Sequence, residues 1–184
     1  MVSIEKDMAE VHAGRLGKRE ILYLCSFCSG AAGNDAKEIL YAMSLSGDTR
    51  VSYNVLWAFT HFRRDDVGWL QPKRDELIDR AMAESHVGKR RLILTLLSRL
   101  DFDVAGFRSD FLDFCLTKML SQVEPYGVRA LSLRLAFAQC RWYPELLSEL
   151  ESAIDMMESA PLSPGLKSAI KDIRCRVSQL NKSK

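Results

Sequence analysis

The sequence predicts an all-α chain, about ten helices stacked in pairs as a right-handed α-α superhelix. Three observations carry this expectation. Apolar residues recur at three- and four-residue spacing in every long segment, and no run shows the strict alternation that marks a strand. The five prolines, Pro72, Pro125, Pro144, Pro161 and Pro164, all fall at helix starts or in linkers, where a fixed φ and a missing N–H are tolerated. Gly47, Gly88, Gly127 and Gly165, each at the start of an apolar segment, are separated by 41, 39 and 38 residues, a spacing that holds two helices.

Taken in order, the pattern predicts a short helix within residues 4–13, then helices over 16–29, 35–45, 49–63, 72–84, 88–101, 108–121, 127–140, 144–159 and 164–178. One class is amphipathic. Ile39, Leu40, Ala42 and Met43 form a single stripe, as do Leu77, Ile78, Ala81 and Met82, then Phe111, Leu112, Cys115, Leu116 and Met119, and finally Leu146, Leu147, Leu150, Ile154 and Met157. A second class, residues 55–62, 92–100 and 130–138, is apolar around most of its circumference and must be covered on most faces. The two classes alternate, and Leu94, Leu97, Leu133 and Phe137 are the expected core of the second. Asn34, Asp48 or Thr49, Ser109 and Ser163 are candidate N-caps, because a short polar side chain can accept from the free amides of a first turn. Residues 179–184 are expected to be a frayed tail.

Composition allows a stable single domain. A chain of 184 residues can bury roughly 70% of the surface its unfolded form exposes. With 47% apolar and 27% charged residues it lies far from the composition of disordered chains, and a net charge of +2 names no polyanionic partner. The domain organisation expected is one helical-repeat domain over 1–184, with an irregular helical pair in 1–33, about four repeats in 34–178, and the tail.

Cys25, Cys28, Cys115, Cys140 and Cys175 are odd in number and lie inside apolar helical patterns, as reduced buried cysteines of a cytosolic protein do. The first residues show no basic stretch followed by an apolar core, and the longest uncharged stretch, 21–34, is too short to span a bilayer. A cytoplasmic protein without membrane attachment is the expectation.

The repeat is the strongest feature. Within a few residues of each spaced glycine comes a basic residue, Arg50, Arg91, Arg129 or Lys167, and then an apolar helix. With this period and this position the chain resembles HEAT or armadillo-type helical repeat proteins over about residues 35–178. The resemblance implies a solenoid whose core runs along the stack, an acidic-to-basic ladder best matched here by Asp48 and Arg50, and function on the concave face made by the second helices.

No chemistry of catalysis is legible. Cys25 and Cys28 form a CxxC, but no second pair or nearby histidine completes a metal site, and His12, His61 and His86 are far apart. No nucleophile triad, phosphate loop or dinucleotide fingerprint occurs. No metal, cofactor or catalytic residue is therefore expected. The candidate binding residues are those expected on second helices: Arg50, Tyr53, Asn54, Trp57, His61, Arg90, Arg91, Arg129 and Lys167. Tyr53 and Trp57, four residues apart beside an arginine, would suit a protein hot spot or base stacking.

Two functions follow. The first is a non-enzymatic scaffold that holds a peptide or protein on its concave face. The alternative is a nucleic-acid binder similar in architecture to bacterial alkylpurine DNA glycosylases. The basic row separates them: an ion-pair ladder favours the scaffold, and an unpaired stripe favours nucleic acid.

Overall fold

The computed structural model describes residues 16–182. All regular structure among these residues is helical: α1 (Lys18–Phe27), α2 (Asn34–Ser44), α3 (Thr49–Thr60), the single turn α4 (Arg64–Val67), α5 (Arg74–Ala83), α6 (Val87–Leu97), α7 (Ser109–Leu120), α8 (Tyr126–Cys140), α9 (Pro144–Glu158) and α10 (Pro164–Lys182), with 3-10 turns at Ala31–Gly33 and Gly68–Lys73. The helix expected within 4–13 lies outside the described residues. The expected tail is helical as far as Lys182, because Val177 and the half-buried Leu180 continue the stripe of Leu166, Ala169, Ile170 and Ile173. The linker expected between α3 and α5 instead forms α4 and a 3-10 turn, which carry Val67 and Leu70 into the core.

The chain divides into two compact units, one up to Leu77 with Glu84–Leu100, the other Ile78–Ala83 with the chain from Asp101 onward. In the first, α3 packs against α1, α2 and α6. Its circumference explains why: Val51, Val55, Leu56, Ala58 and Phe59 are fully buried and point in several directions, so only a helix covered on most faces keeps them from water. In the second, α8 holds the same place, packed by α7, α9 and α10, with Val128, Leu133, Leu135, Ala136 and Phe137 buried. Leu94 and Leu97 of α6 are also fully buried, so all four expected core residues lie inside.

The repeat period is visible as hydrogen bonds. Arg99, just past α6, donates to the Thr60 and Phe62 carbonyls at 3.0 and 2.6 Å. Arg141, at the end of α8, donates to the Phe102 carbonyl at 2.8 Å, and Trp142 Nε1 donates to the same oxygen at 3.1 Å. The Thr60 and Phe62 carbonyls, at and just past the end of α3, lack intrahelical partners, and the Phe102 carbonyl lies in the loop after α6; in both places a guanidinium about one repeat further on supplies the donor.

Two of the candidate caps act as such. Asp48 Oδ1 accepts from the Arg50 and Val51 amides at 2.8 and 3.2 Å, and Ser163 Oγ from Leu166 at 3.3 Å. Asn34 and Ser109 are instead the first residues of α2 and α7, and the residues before them make no side-chain cap.

One buried ion pair joins the first unit. Lys37, 2% exposed, donates to Asp66 Oδ1 at 3.0 Å, to the Gly30 carbonyl at 2.9 Å and to Asn34 Oδ1 at 3.2 Å. Asp66 also accepts from the Gly30 amide at 2.8 Å. Gly30 turns with φ of 64°, a conformation that a side chain disfavours, and this aims both its polar groups at the pair.

Candidate functional site

A pocket of about 550 Å³ opens along the N-terminal half of α3. Its walls come from Thr49, Arg50, Tyr53, Asn54 and Trp57 of α3 and from His86, the residue before α6. Positions 50, 53, 54 and 57 share one helix face because residues three and four apart are neighbours there. The structure thus brings four of the sequence candidates, Arg50, Tyr53, Asn54 and Trp57, to one site.

His86 and Gly88 were not among those candidates. His86 Nδ1 accepts the Lys89 amide at 3.2 Å and caps α6, which leaves the proton of the neutral ring on Nε2. Its ring meets Tyr53 edge to face, with centroids 6.2 Å apart. Gly88 allows this approach: a Cβ there would stand 3.0 Å from His86 Cε1 and 3.1 Å from Tyr53 Cε2. The one hint in the sequence is that His86 occupies a cap position just ahead of a spaced glycine.

The groups differ in exposure. Asn54 is buried, Tyr53 and Trp57 are half-buried, and Arg50 is exposed. The Arg50 guanidinium has no acceptor among the described residues, since Asp48 takes its backbone amide instead. His61, at the C-cap of α3, stands outside the pocket wall and props Trp57 from the next turn. Its ring meets the indole edge to face at 5.6 Å, and its Nδ1 lies 3.0 Å from the Trp57 carbonyl.

The basic residues do not share one register. Counted from the first residue of each helix, Arg50 is second in α3 and Arg91 is fifth in α6, whereas Arg129 and Lys167 are fourth in α8 and α10. The equivalents of Arg129 are Ser52 and Arg90. Arg90 donates to the Glu84 carbonyl through Nε at 3.1 Å and Nη2 at 2.7 Å. Arg129 is 1% exposed, donates from Nε to the Met119 carbonyl at 3.0 Å, and places Nη1 3.4 Å from Gln122 Oε1. It is therefore neither a rung bonded to a carboxylate nor open to a phosphate, but ties the end of α7 to the start of α8. Arg91 and Lys167 are exposed.

The CxxC is a packing feature. Cys28 is buried and Cys25 half-buried with Sγ 3.5 Å from the Ala58 carbonyl. Burial pushes the thiols up to about 11 for Cys25 and about 12 for Cys28, aided at both by the negative charge of Asp66. A thiol held so high presents little thiolate near neutrality, the reverse of a redox motif. Among the described residues no cluster of His, Cys, Asp or Glu could hold a metal ion, and no helix is long and apolar enough to cross a membrane.

The sequence matches the HEAT repeat domain over residues 8–177. None of the curated proteins matches it, nor does any solved structure. The match spans nearly the whole chain and agrees with the buried helices α3 and α8 and the period near 40: the chain belongs to the HEAT repeat domain family.

Proposed function

We propose that this chain is a non-enzymatic interaction scaffold, a cytoplasmic protein that binds a peptide segment of a partner protein in the pocket on α3. One observation carries the reading: an arginine with no internal acceptor stands beside an open pocket walled by Tyr53, Trp57 and His86. Tyrosine, tryptophan and arginine dominate protein hot spots, because the rings give large contact area and the guanidinium gives directed donors. The buried Asn54 amide adds a polar group at the pocket wall. The segment expected has an apolar or aromatic side chain inserted between the rings and a carboxylate on Arg50. HEAT proteins generally bind through their second helices, and the position of α3 as the second helix of its repeat supports this reading.

Panning a displayed peptide library against the full chain, with counter-selection on Trp57→Ala, tests the reading. Enriched peptides should pair an acidic residue with an aromatic or aliphatic one and lose about tenfold or more in affinity to both Trp57→Ala and Arg50→Ala, a hot-spot effect of about 1.4 kcal/mol. Failure to enrich, together with salt-sensitive oligonucleotide binding abolished by Arg50→Ala, would replace the peptide with nucleic acid.

A further inference from the structure

A second pocket, of about 540 Å³, lies in the other unit, where the end of α9 passes through the loop 159–163 into α10. Along α10, Lys167, Lys171 and Arg174 line it at i, i+4 and i+7, a stripe about 10 Å long at about 1.5 Å per residue. The apolar part of the lining is Ala160, Pro161 and Leu162 of the loop, with the edge of Ile170 between the two lysines on α10.

The charges are unevenly satisfied. Arg174 holds Asp155 at 2.6 Å and Glu158 at 2.5 Å, so the acid on the pocket wall, Glu158, is already engaged. Lys167 and Lys171 are exposed and have no carboxylate partner among the described residues. Like charges one helical turn apart repel, and a ligand carboxylate at each would remove that repulsion.

We propose that this pocket binds an acidic peptide segment of a partner protein, with carboxylates on Lys167 and Lys171 and an apolar side chain against Pro161, Leu162 and Ile170. The apolar wall distinguishes this ligand from an inorganic anion, which would leave that wall wet. Nucleic acid is disfavoured because no aromatic ring lines the pocket for stacking and the stripe is short for a phosphate backbone. The proposal is independent of the α3 pocket.

The test is a methyl NMR titration of the full chain with an acetylated, amidated Glu-Leu-Glu-Glu peptide. Ile170 and Leu162 methyls should shift, the double variant Lys167→Glu with Lys171→Glu should weaken binding about tenfold or more, and Trp57→Ala should leave it unchanged. If charge reversal disturbs the fold, Lys167→Gln with Lys171→Gln should give the same loss with an unaltered unfolding midpoint. Undiminished binding by the folded double variant would overturn the proposal. So would equal binding of Glu-Ser-Glu-Glu, displacement by inorganic phosphate or a single-stranded oligonucleotide at the peptide's own concentration, or shifts confined to other methyls.

Discussion

The Lys37 ammonium stands 3.0 Å from the Asp66 carboxylate, and both groups are inside the protein. They come from α2 and from the turn after α3, 29 residues apart, and they share Gly30 between them. Removing the Asp66 carboxylate leaves the buried Lys37 ammonium without its counter-charge, held only by the Gly30 and Asn34 oxygens.

Asp66→Ala should therefore cost about 3 to 5 kcal/mol, as breaking a buried pair does. Urea unfolding of the variant and the parent measures it. Exchange of both residues for apolar ones of similar size should cost much less, since it strands no charge.

The same pair sets a pH dependence. Burial alone would raise the Asp66 carboxyl, but hydrogen bonds from Lys37 and the Gly30 amide, with the charges of Lys37 and Arg63, outweigh it and hold the group below its ordinary value. A carboxyl lowered in the folded state stabilises fully above its unfolded value of about 3.9, and that contribution fades as pH falls through the lower folded value. Unfolding free energy measured from pH 6 down to pH 2 should fall in the parent more than in Asp66→Asn.

Arg129→Ala should lower stability by about 1 to 3 kcal/mol, because the Met119 carbonyl loses its donor inside the protein. Binding to either proposed peptide pocket should not change. A variant as stable as the parent would show that the buried guanidinium contributes no net stability.

Gly88→Ala separates fold from site. Alanine is a better helix former than glycine by about 1 kcal/mol, which favours α6. Its methyl, however, would enter within 3.0 to 3.1 Å of His86 and Tyr53 and push the two rings apart. Stability should stay within about 1 kcal/mol of the parent while peptide affinity at the α3 pocket falls, measured by chemical denaturation and by titration with a selected peptide.

Thiol titration of the native protein at pH 7 should find one fast group, Cys175, the exposed cysteine. Cys25, Cys28 and Cys140 are pushed up to about 11, 12 and 12, and Cys115 is raised as well, all chiefly by burial, so these four should react only slowly until the chain unfolds.

The sequence alone determined the long helices from residue 16 onward and the side of each that faces inward, because both follow from a local period of 3.6 residues, but it gave no sign of α4 or of the helical tail. It also determined that Leu94, Leu97, Leu133 and Phe137 are core and that the chain repeats about every 40 residues. It offered Asn34, Asp48 or Thr49, Ser109 and Ser163 as caps, and the structure chose Asp48 and Ser163. Tertiary structure decided what the charges do. Arg50, Arg90 and Arg129 read alike in a sequence, yet one faces water, one caps the Glu84 carbonyl and one is buried against the Met119 carbonyl. Every residue carries a carbonyl, so composition cannot say which ones a guanidinium will find. Likewise Lys37 and Asp66 meet across 29 residues and His86 closes on Tyr53 across 33. Periodicity fixes which face of a helix is buried, but only packing fixes which residues of another helix lie opposite it.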